Sequence, residues 1–280
     1  MDYAKPLADR VALVTGAGRG VGAALARRLS AAGAAVVVGD LDPEPAAETA
    51  ASITAKGGRA TTLVGDVTAE DFGERAIQTM LDAFGGVDII VNNAGYVWNT
   101  SIHKTSDEQW QAMLDCHATA PFRILRAAAP FIRDAARKEA EAGTGYQRKV
   151  VNVSSVAGFY GGATQIAYSA AKSAQIGITK TLAKEWARYR VNVNCVGFGF
   201  IETRLTQVWD GDEVARVEVG GRDYAVGFHE SAKDGLEAAI PMGRPGTPEE
   251  AAGAVFLFCL PESDYVTGEL LVAGGGLLSY

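Results

Sequence analysis

The fold is decided by the stretch Val11-Ala12-Leu13-Val14-Thr15-Gly16-Ala17-Gly18-Arg19-Gly20-Val21-Gly22. Residues 11–14 are apolar and favour a strand, and the Ala, Leu and Arg residues of 23–32 favour a helix. A strand, a glycine turn and a helix in this order are the setting of a dinucleotide-binding fingerprint. The glycines let the backbone approach a pyrophosphate, and the helix N-terminus offers N–H groups and the positive end of its dipole. The alternative is an ordinary strand-to-helix turn.

Strand and helix patterns continue to alternate along the rest of the chain. The predicted strands are 36–39, 60–65, 87–91, 149–153, 191–196 and 269–272. The predicted helices are 44–56, 70–84, 106–141, 166–188 and 248–260. This alternation predicts an α/β fold of the Rossmann type, a doubly wound parallel sheet of about seven strands with helices on both faces. We expect a single domain over residues 1–280.

Residues 204–242 interrupt the alternation. The segment is punctuated by glycines and carries Trp209, Tyr224 and Phe228. A long segment of this kind beside a ligand edge predicts a substrate lid, and its aromatic residues suggest an apolar or extended substrate. The alternative is a surface excursion without a role.

Four residues follow predicted strands directly, namely Gly16, Asp40, Asp66 and Asn93. The carboxyl ends of parallel strands meet at one edge, where such sheets bind ligands. We therefore expect these residues to share a site.

Asp40 bears on the choice of cofactor. An acid at this distance after the glycines can accept hydrogen bonds from the ribose hydroxyls of adenosine and would repel a 2′-phosphate, which favours NAD(H) over NADP(H). Arg19 points the other way, because a basic residue in the glycine loop can meet a 2′-phosphate. The alternative for Asp40 is a helix N-cap or turn residue.

Tyr168 and Lys172 stand four residues apart in a predicted helix and therefore on one face. A neighbouring ammonium favours the phenolate and should lower the pKa of the tyrosine from about 10. Such a tyrosine can donate a proton to a carbonyl oxygen or take one from an alcohol. In isolation such a pair is far more often a packed tyrosine and a solvated lysine, an ordinary surface pair.

Composition narrows the class of protein. The 280 residues are 48% hydrophobic and carry a net charge of −7, with no cluster of Lys and Arg, which argues against a nucleic-acid surface. No apolar run approaches the length of a membrane span, and the start of the chain is polar. The three cysteines are far apart, which predicts buried free thiols in a cytoplasmic protein. The scattered histidines make a metal site unexpected.

With these residues in hand, the chain resembles the short-chain dehydrogenase/reductase family over nearly its whole length. Within that family it is most similar to the 3-oxoacyl-(acyl-carrier-protein) reductase and hydroxysteroid dehydrogenase group. The matching segments are Thr15 to Gly22, Asp66-Val67, Asn92-Asn93-Ala94-Gly95, Ser155, Tyr168 with Lys172, Asn194, Gly199 to Thr203, Pro241 to Glu250, Val266-Thr267-Gly268 and Gly274-Gly275.

The resemblance implies a role for each matching residue. Tyr168 would be the general acid in reduction, Lys172 would bind the nicotinamide ribose and lower the pKa of Tyr168, and Ser155 would hydrogen-bond the substrate oxygen. The implied cofactor-binding residues are Gly16, Arg19, Gly20, Val21, Asp40, Leu41, Asp66, Val67, Asn93, Ala94, Gly95, Tyr168, Lys172, Gly199, Ile201 and Thr203. The resemblance also implies a homotetramer and a small-molecule ketone or alcohol as substrate.

His117 departs from the family, which usually has Asn at this position. That Asn is thought to hold a water that relays protons to the lysine. We hypothesise that His117 takes over the relay and adds a pH dependence, since imidazole titrates near neutral pH; the alternative is that it only packs. A competing function is therefore a dinucleotide-binding regulatory or scaffold protein that has lost catalysis, although the intact Ser155, Tyr168 and Lys172 argue against it.

Overall fold

The structure is a computed structural model that describes residues 5–206, 208–209, 216–219, 222–225, 227–229, 235 and 237–277. The strands in chain order are β1 (Val11–Thr15), β2 (Ala35–Asp40), β3 (Arg59–Val64), β4 (Ile89–Asn92), β5 (Arg148–Ser155), β6 (Val191–Phe198), β7 (Val208–Trp209), β8 (Arg216–Val219), β9 (Arg222–Ala225), β10 (Phe228–His229) and β11 (Leu270–Ala273). Seven of them form one parallel sheet in the order β11-β6-β5-β4-β1-β2-β3. The predicted doubly wound sheet is confirmed.

Helices cover both faces of this sheet. They are α1 (Gly20–Ala31), α2 (Pro43–Thr54), α3 (Phe72–Phe84), α4 (Asp107–Leu114), α5 (Ala120–Glu141), α6 (Val156–Tyr160), α7 (Ile166–Trp186) and α8 (Pro248–Leu257). Successive side chains of β1 point to opposite faces, so Val14 packs in one core cluster with α1 and α8, and Leu13 in the other with α3, α5 and α7. All five residues of β1 are buried, as a strand covered on both faces requires.

The predicted helix over residues 106–141 is not one regular helix. Ser106 begins it with a capping box to Gln109, but a π-helical turn, Asp115–Thr119, separates α4 from α5. His117 lies in that turn. A π-turn inserts one residue into the hydrogen-bond ladder and is frequent at functional sites, so the local geometry of His117 differs from that of an α-helical residue.

The predicted lid falls partly outside the described residues. Within 204–242 the structure places β7 beside β10 in parallel pairing and β8 beside β9 in antiparallel pairing. The side chains of Trp209, Tyr224 and Phe228 are not among those described. The lid and its aromatic contacts therefore stay predictions.

Within the described ranges, every helix is too short or too polar to cross a membrane.

Candidate active site

A cleft of about 950 Å³ lies at the carboxyl edge of the sheet. Its lining includes every residue that the sequence assigned to the site: Gly16, Arg19, Gly20, Val21, Asp40, Leu41, Asp66, Val67, Asn93, Ala94, Gly95, His117, Ser155, Tyr168, Lys172, Gly199, Ile201 and Thr203. Most of these residues follow the ends of different strands, whereas Tyr168 and Lys172 come from α7 and His117 comes from the π-helical turn. The cleft thus brings together side chains that are far apart in the chain. Their individual roles stay predictions.

The glycine loop after β1 is tied to the loop after β4. The side-chain amide of Asn93 donates to the carbonyl oxygens of Thr15 (2.9 Å) and Gly16 (3.1 Å), and the hydroxyl of Thr15 accepts from the N–H of Ala94 (3.0 Å). Gly16 has a φ of +63°, and a Cβ there would lie 2.8 Å from the Cα of Ala94. Only glycine fits both constraints, so this position is fixed by backbone geometry.

The glycine loop is also tied to the loop after β2 through Asp40. One carboxylate oxygen of Asp40 accepts from the N–H of Gly18 at 2.7 Å, and the other accepts from the N–H of Asp42 at 3.1 Å. The carbonyl oxygen of Gly18 accepts from the buried hydroxyl of Thr49 at 3.0 Å. Gly18 is therefore held from both sides. Asp40 acts as a loop brace, which is close to the turn role that the sequence left open for it.

Ser155, Tyr168 and Lys172 meet at the wall of the cleft. Ser155 is the last residue of β5 and the N-cap of α6, where its hydroxyl accepts from the N–H of Ala157 at 3.2 Å. Tyr168 is half-buried, and the side chain of Ser155 acts to lower the pKa of its phenol. Lys172 is 4% exposed and donates from Nζ to the carbonyl oxygen of Val153 at 2.8 Å. The hydroxyl pair faces the cleft, and the ammonium lies behind it.

Close packing of α6 on α7 fixes this arrangement. A Cβ on Gly158 would lie 2.8 Å from the main-chain carbon of Lys172 and 2.7 Å from Oγ of Ser154. Oγ of Ser154 donates to the carbonyl oxygen of Lys172 at 2.9 Å, and Oγ of Ser173 donates to that of Gly158 at 2.6 Å. The end of β5 and the helix that carries Tyr168 are thus locked together by small residues.

The expected lowering of the Tyr168 pKa is wrong for this structure. Burial raises the pKa of Tyr168 to about 12; the hydrogen bond from Ser155 opposes that shift only in part, and Cys116 adds to it. The ammonium of Lys172 lies 5.7 Å from the centre of the tyrosine ring, and burial in turn lowers the pKa of Lys172 to about 8. Desolvation of the phenolate therefore outweighs the lysine charge.

His117 is fully buried and its ring lies against that of Tyr168. Its ring meets that of Tyr168 edge-on, with ring centres 5.2 Å apart and planes at 88°. Nε2 lies 2.7 Å from the carbonyl oxygen of Tyr96, so Nε2 carries the proton. Nδ1 is buried and has no hydrogen-bond partner in the part of the chain that the structure describes. A Cβ on Gly95 would lie 2.3 Å from Cε1, so the backbone of that loop lies directly on the ring.

The titration expected of His117 is also corrected. Burial, and next the charge of Lys172, lower the pKa of His117 well below 6.5, while the hydrogen bond to Tyr96 acts in the opposite direction. The imidazole is therefore neutral at physiological pH, and it adds no pH dependence there. A relay through a neutral imidazole stays a prediction.

Sequence reasoning missed several residues that line the cleft, among them Asp42, Asn99 and Gln165. The side-chain amide of Gln165 donates to Oδ1 of Asn99 at 2.9 Å and links the loop after β4 to the start of α7. Gln165 stands three residues before Tyr168, a helical spacing that could have revealed it. Asn99 and Asp42 carry no comparable signal, because their partners are distant in the chain.

The chemistry of the cleft suits a dinucleotide. The glycine loop presents the N-terminus of α1, a twelve-residue helix whose N-cap, Arg19, is extended and leaves the first N–H groups uncapped by a side chain. Asp40 lies beside that loop at the end of β2, where a ribose acceptor is expected. These residues fit the group that the sequence predicts.

Comparison with known proteins agrees with this geometry. Residues 10–213 match the family model described as short chain dehydrogenase. A protein of Vibrio cholerae named 3-oxoacyl-(acyl-carrier-protein) reductase FabG is 35% identical over 97% of this chain and 98% of its own length. Its counterpart in Synechocystis is 35% identical over 98% of this chain and 99% of its own length. The short-chain reductase protein NovJ of Streptomyces niveus is 37% identical over 96% of this chain and 94% of its own length.

Proposed function

This chain belongs to the short-chain dehydrogenase family, and we propose that it reduces a ketone to a secondary alcohol with a nicotinamide dinucleotide, NAD(H) in preference to NADP(H). As a member of the family it is an oxidoreductase that acts on CH–OH groups. The observation that carries the proposal is that Ser155, Tyr168 and the buried Lys172 meet at the wall of one cleft.

The protonation state of Tyr168 favours reduction. With a pKa of about 12, only about one phenol in 10⁵ is ionised at pH 7. A protonated phenol is the form that donates to a developing alkoxide, whereas oxidation of an alcohol needs the phenolate. Ser155 adds a second hydroxyl that orients the substrate oxygen and stabilises charge on it. The protonated phenol of Tyr168 is therefore suited to act as the general acid.

The dinucleotide, when bound, supplies the hydride. We assign its binding to the glycine loop, to Asp40 at the adenosine ribose, to Asp66 and Val67 near the adenine and to Lys172 at the nicotinamide ribose. The argument for NAD(H) is the carboxylate of Asp40, because a second negative group beside it is penalised. Ile201 and Thr203 complete the nicotinamide side in this proposal.

The names of the relatives suggest the substrate class. Two of them are named 3-oxoacyl-(acyl-carrier-protein) reductases, and an extended acyl chain agrees with the apolar lid expected over residues 204–242. We therefore propose a 3-oxoacyl thioester or a similar extended ketone. A homotetramer and a cytoplasmic location stay predictions that the family resemblance and the composition suggest.

The test has two parts. Purified protein is first titrated with NADH and with NADPH and followed by fluorescence, and then supplied with a panel of 3-oxoacyl thioesters and apolar ketones while loss of reduced nucleotide is recorded. We expect binding and turnover, and a loss of turnover of at least about 10²-fold in Tyr168→Phe with dinucleotide binding kept. Binding without turnover on the whole panel would refute the reductase and favour the regulatory protein.

A further inference from the structure

Arg19 is the feature of the cleft that the proposed function leaves unexplained. It stands in the glycine loop next to Asp40, where a guanidinium could hold a 2′-phosphate, yet Asp40 argues for the nucleotide that lacks this phosphate. In the sequence alone, Arg19 and Asp40 therefore indicate opposite cofactor preferences. The structure shows what Arg19 does in the protein without nucleotide.

The guanidinium of Arg19 is paired with Asp42. Nη1 of Arg19 donates to Oδ2 of Asp42, and both residues line the cleft. The side chains are 46% and 37% exposed, so the pair lies at the mouth of the cleft and is accessible to a ligand. The guanidinium that could recognise a phosphate at this end is therefore neutralised by a neighbouring carboxylate.

Asp42 is directed to Arg19 by the loop that carries it. It is the N-cap of α2, a position from which an Asp side chain usually accepts an N–H of the first helical turn. Here its carboxylate makes no such capping bond to α2 and accepts from Arg19 instead. The N–H of Asp42 in turn donates to Asp40 at 3.1 Å, so the two acids are held side by side.

The opposite side of the pair is fixed as well. Arg19 directly follows Gly18, whose N–H is held by Asp40 and whose carbonyl oxygen is held by Thr49. A Cβ on Gly18 would lie 2.9 Å from Cγ of Asp40, so the loop cannot retreat from the acid without losing these contacts. Hydrogen bonds thus fix the backbone on both sides of the ion pair, next to Arg19 and at Asp42.

From this arrangement we infer that Asp42 is a specificity-determining residue of the dinucleotide site, which holds Arg19 in an ion pair and so denies it to a 2′-phosphate. The inference rests on the proposed function and deepens it. A nucleotide with a free 2′-hydroxyl leaves the pair intact, whereas NADP(H) must separate it and place its phosphate near two carboxylates. Both acids then disfavour NADP(H). Asp40 acts at the adenosine ribose, and Asp42 acts by occupying Arg19, the cation that could bind the 2′-phosphate.

The experiment uses the full chain and direct titration with NADH and NADPH. The variants are Asp42→Asn, Arg19→Gln and the double variant. Asp71→Asn is the matched control, since Asp71 is also the N-cap of a helix, makes no capping bond to α3 and pairs with an arginine, Arg75, at 3.9 Å on an exposed surface. This control also removes one carboxylate charge, but at a position away from the cleft.

We expect Asp42→Asn to raise the affinity for NADPH relative to NADH about tenfold, the scale of one removed charge and one freed guanidinium at an exposed site. The gain should weaken with added salt, because an exposed Arg–phosphate contact is screened. It should disappear in Arg19→Gln/Asp42→Asn, where there is no cation to free. Asp71→Asn should leave the ratio as in the wild type.

Three results would overturn the inference while leaving the reductase standing. The wild type could bind NADPH more tightly than NADH. Asp42→Asn could change the ratio no more than Asp71→Asn does. The gain in NADPH affinity relative to NADH could persist in the double variant, which would mean that Asp42 acts by repelling the phosphate and not by holding Arg19. A wild type that binds neither nucleotide would instead remove the proposed function, and the inference with it.

Discussion

Replacing His117 by Asn tests whether the buried imidazole is neutral. Burial and the charge of Lys172 keep the native pKa of His117 well below 6.5, so the native ring stays neutral as the pH falls through the range where an unfolded histidine takes up a proton. The unfolded state then binds more protons than the native state. Stability must therefore fall with falling pH below about 6.5, and His117→Asn must abolish that part of the loss.

The size of the effect follows from linkage. One group that is protonated only in the unfolded state costs about 1.4 kcal/mol between pH 7.5 and pH 5.5, taking an unfolded pKa of 6.5. The assay is the free energy of unfolding in urea for wild type and His117→Asn at both pH values and one protein concentration. We expect the wild type to lose about 1.4 kcal/mol more than the variant over this interval, since all other titrations cancel in the difference.

The control is His103→Asn, because His103 is exposed on the surface and lies outside the buried surroundings of His117. It should show the pH dependence of the wild type. Equal losses in the wild type and His117→Asn would refute the neutral imidazole, and would mean that the native ring accepts a proton despite Lys172 on one side and Tyr168 on the other. The relay is tested separately by turnover, because the neutral ring adds no pH dependence. Turnover that is unchanged in His117→Leu would refute the relay.

Two further predictions concern the dinucleotide site. Because burial lowers the pKa of Lys172 to about 8, its ammonium is lost as pH rises through that value. The affinity for NADH should therefore fall up to about tenfold between pH 7 and pH 9. Lys172→Arg, which stays charged, should show no such fall in affinity. A Cβ on Gly18 would lie 2.8 Å from Cβ of Pro45 and 2.9 Å from Cγ of Asp40. Gly18→Ala should therefore lower the free energy of unfolding in urea by about 1–3 kcal/mol. It should also weaken the binding of NADH, measured by fluorescence titration. Unchanged stability in Gly18→Ala would mean that the loop is not braced by Asp40.

Local patterns explain how much of this fold could be predicted. The glycine loop, the strand that precedes it and the helix caps are set by residues a few positions apart, and the cap at Thr247 forms the capping box that its sequence allows. The carboxyl-edge rule placed Gly16, Asp40, Asp66 and Asn93 together without any knowledge of strand order. These inferences required only periodicity and the direction of parallel strands.

The features that escaped prediction depend on partners far away in the chain. The π-helical turn at residues 115–119 has the same helical composition as its flanks, so periodicity cannot reveal it. The bond between Gln165 and Asn99 joins residues 66 positions apart, and the pair of Arg19 and Asp42 depends on how two loops approach each other. Such contacts are set by tertiary packing, which a local pattern does not encode.

The pKa of Tyr168 shows where local reasoning gives the wrong sign. Helical spacing correctly puts Lys172 near Tyr168, but spacing says nothing about the low-dielectric surroundings of either group. Burial raises the pKa of the phenol and lowers that of the ammonium, and both shifts disfavour the charged forms that the sequence argument relied on. Tyr168 is thus held in its protonated form, the form that the proposed reduction requires. Alcohol oxidation would need about 7 kcal/mol to ionise the phenol at pH 7, a cost that a bound, positively charged nicotinamide and a lysine drawn away from Val153 would have to offset. Ketone reduction starts from the phenol form that burial favours, and this supports the proposed direction.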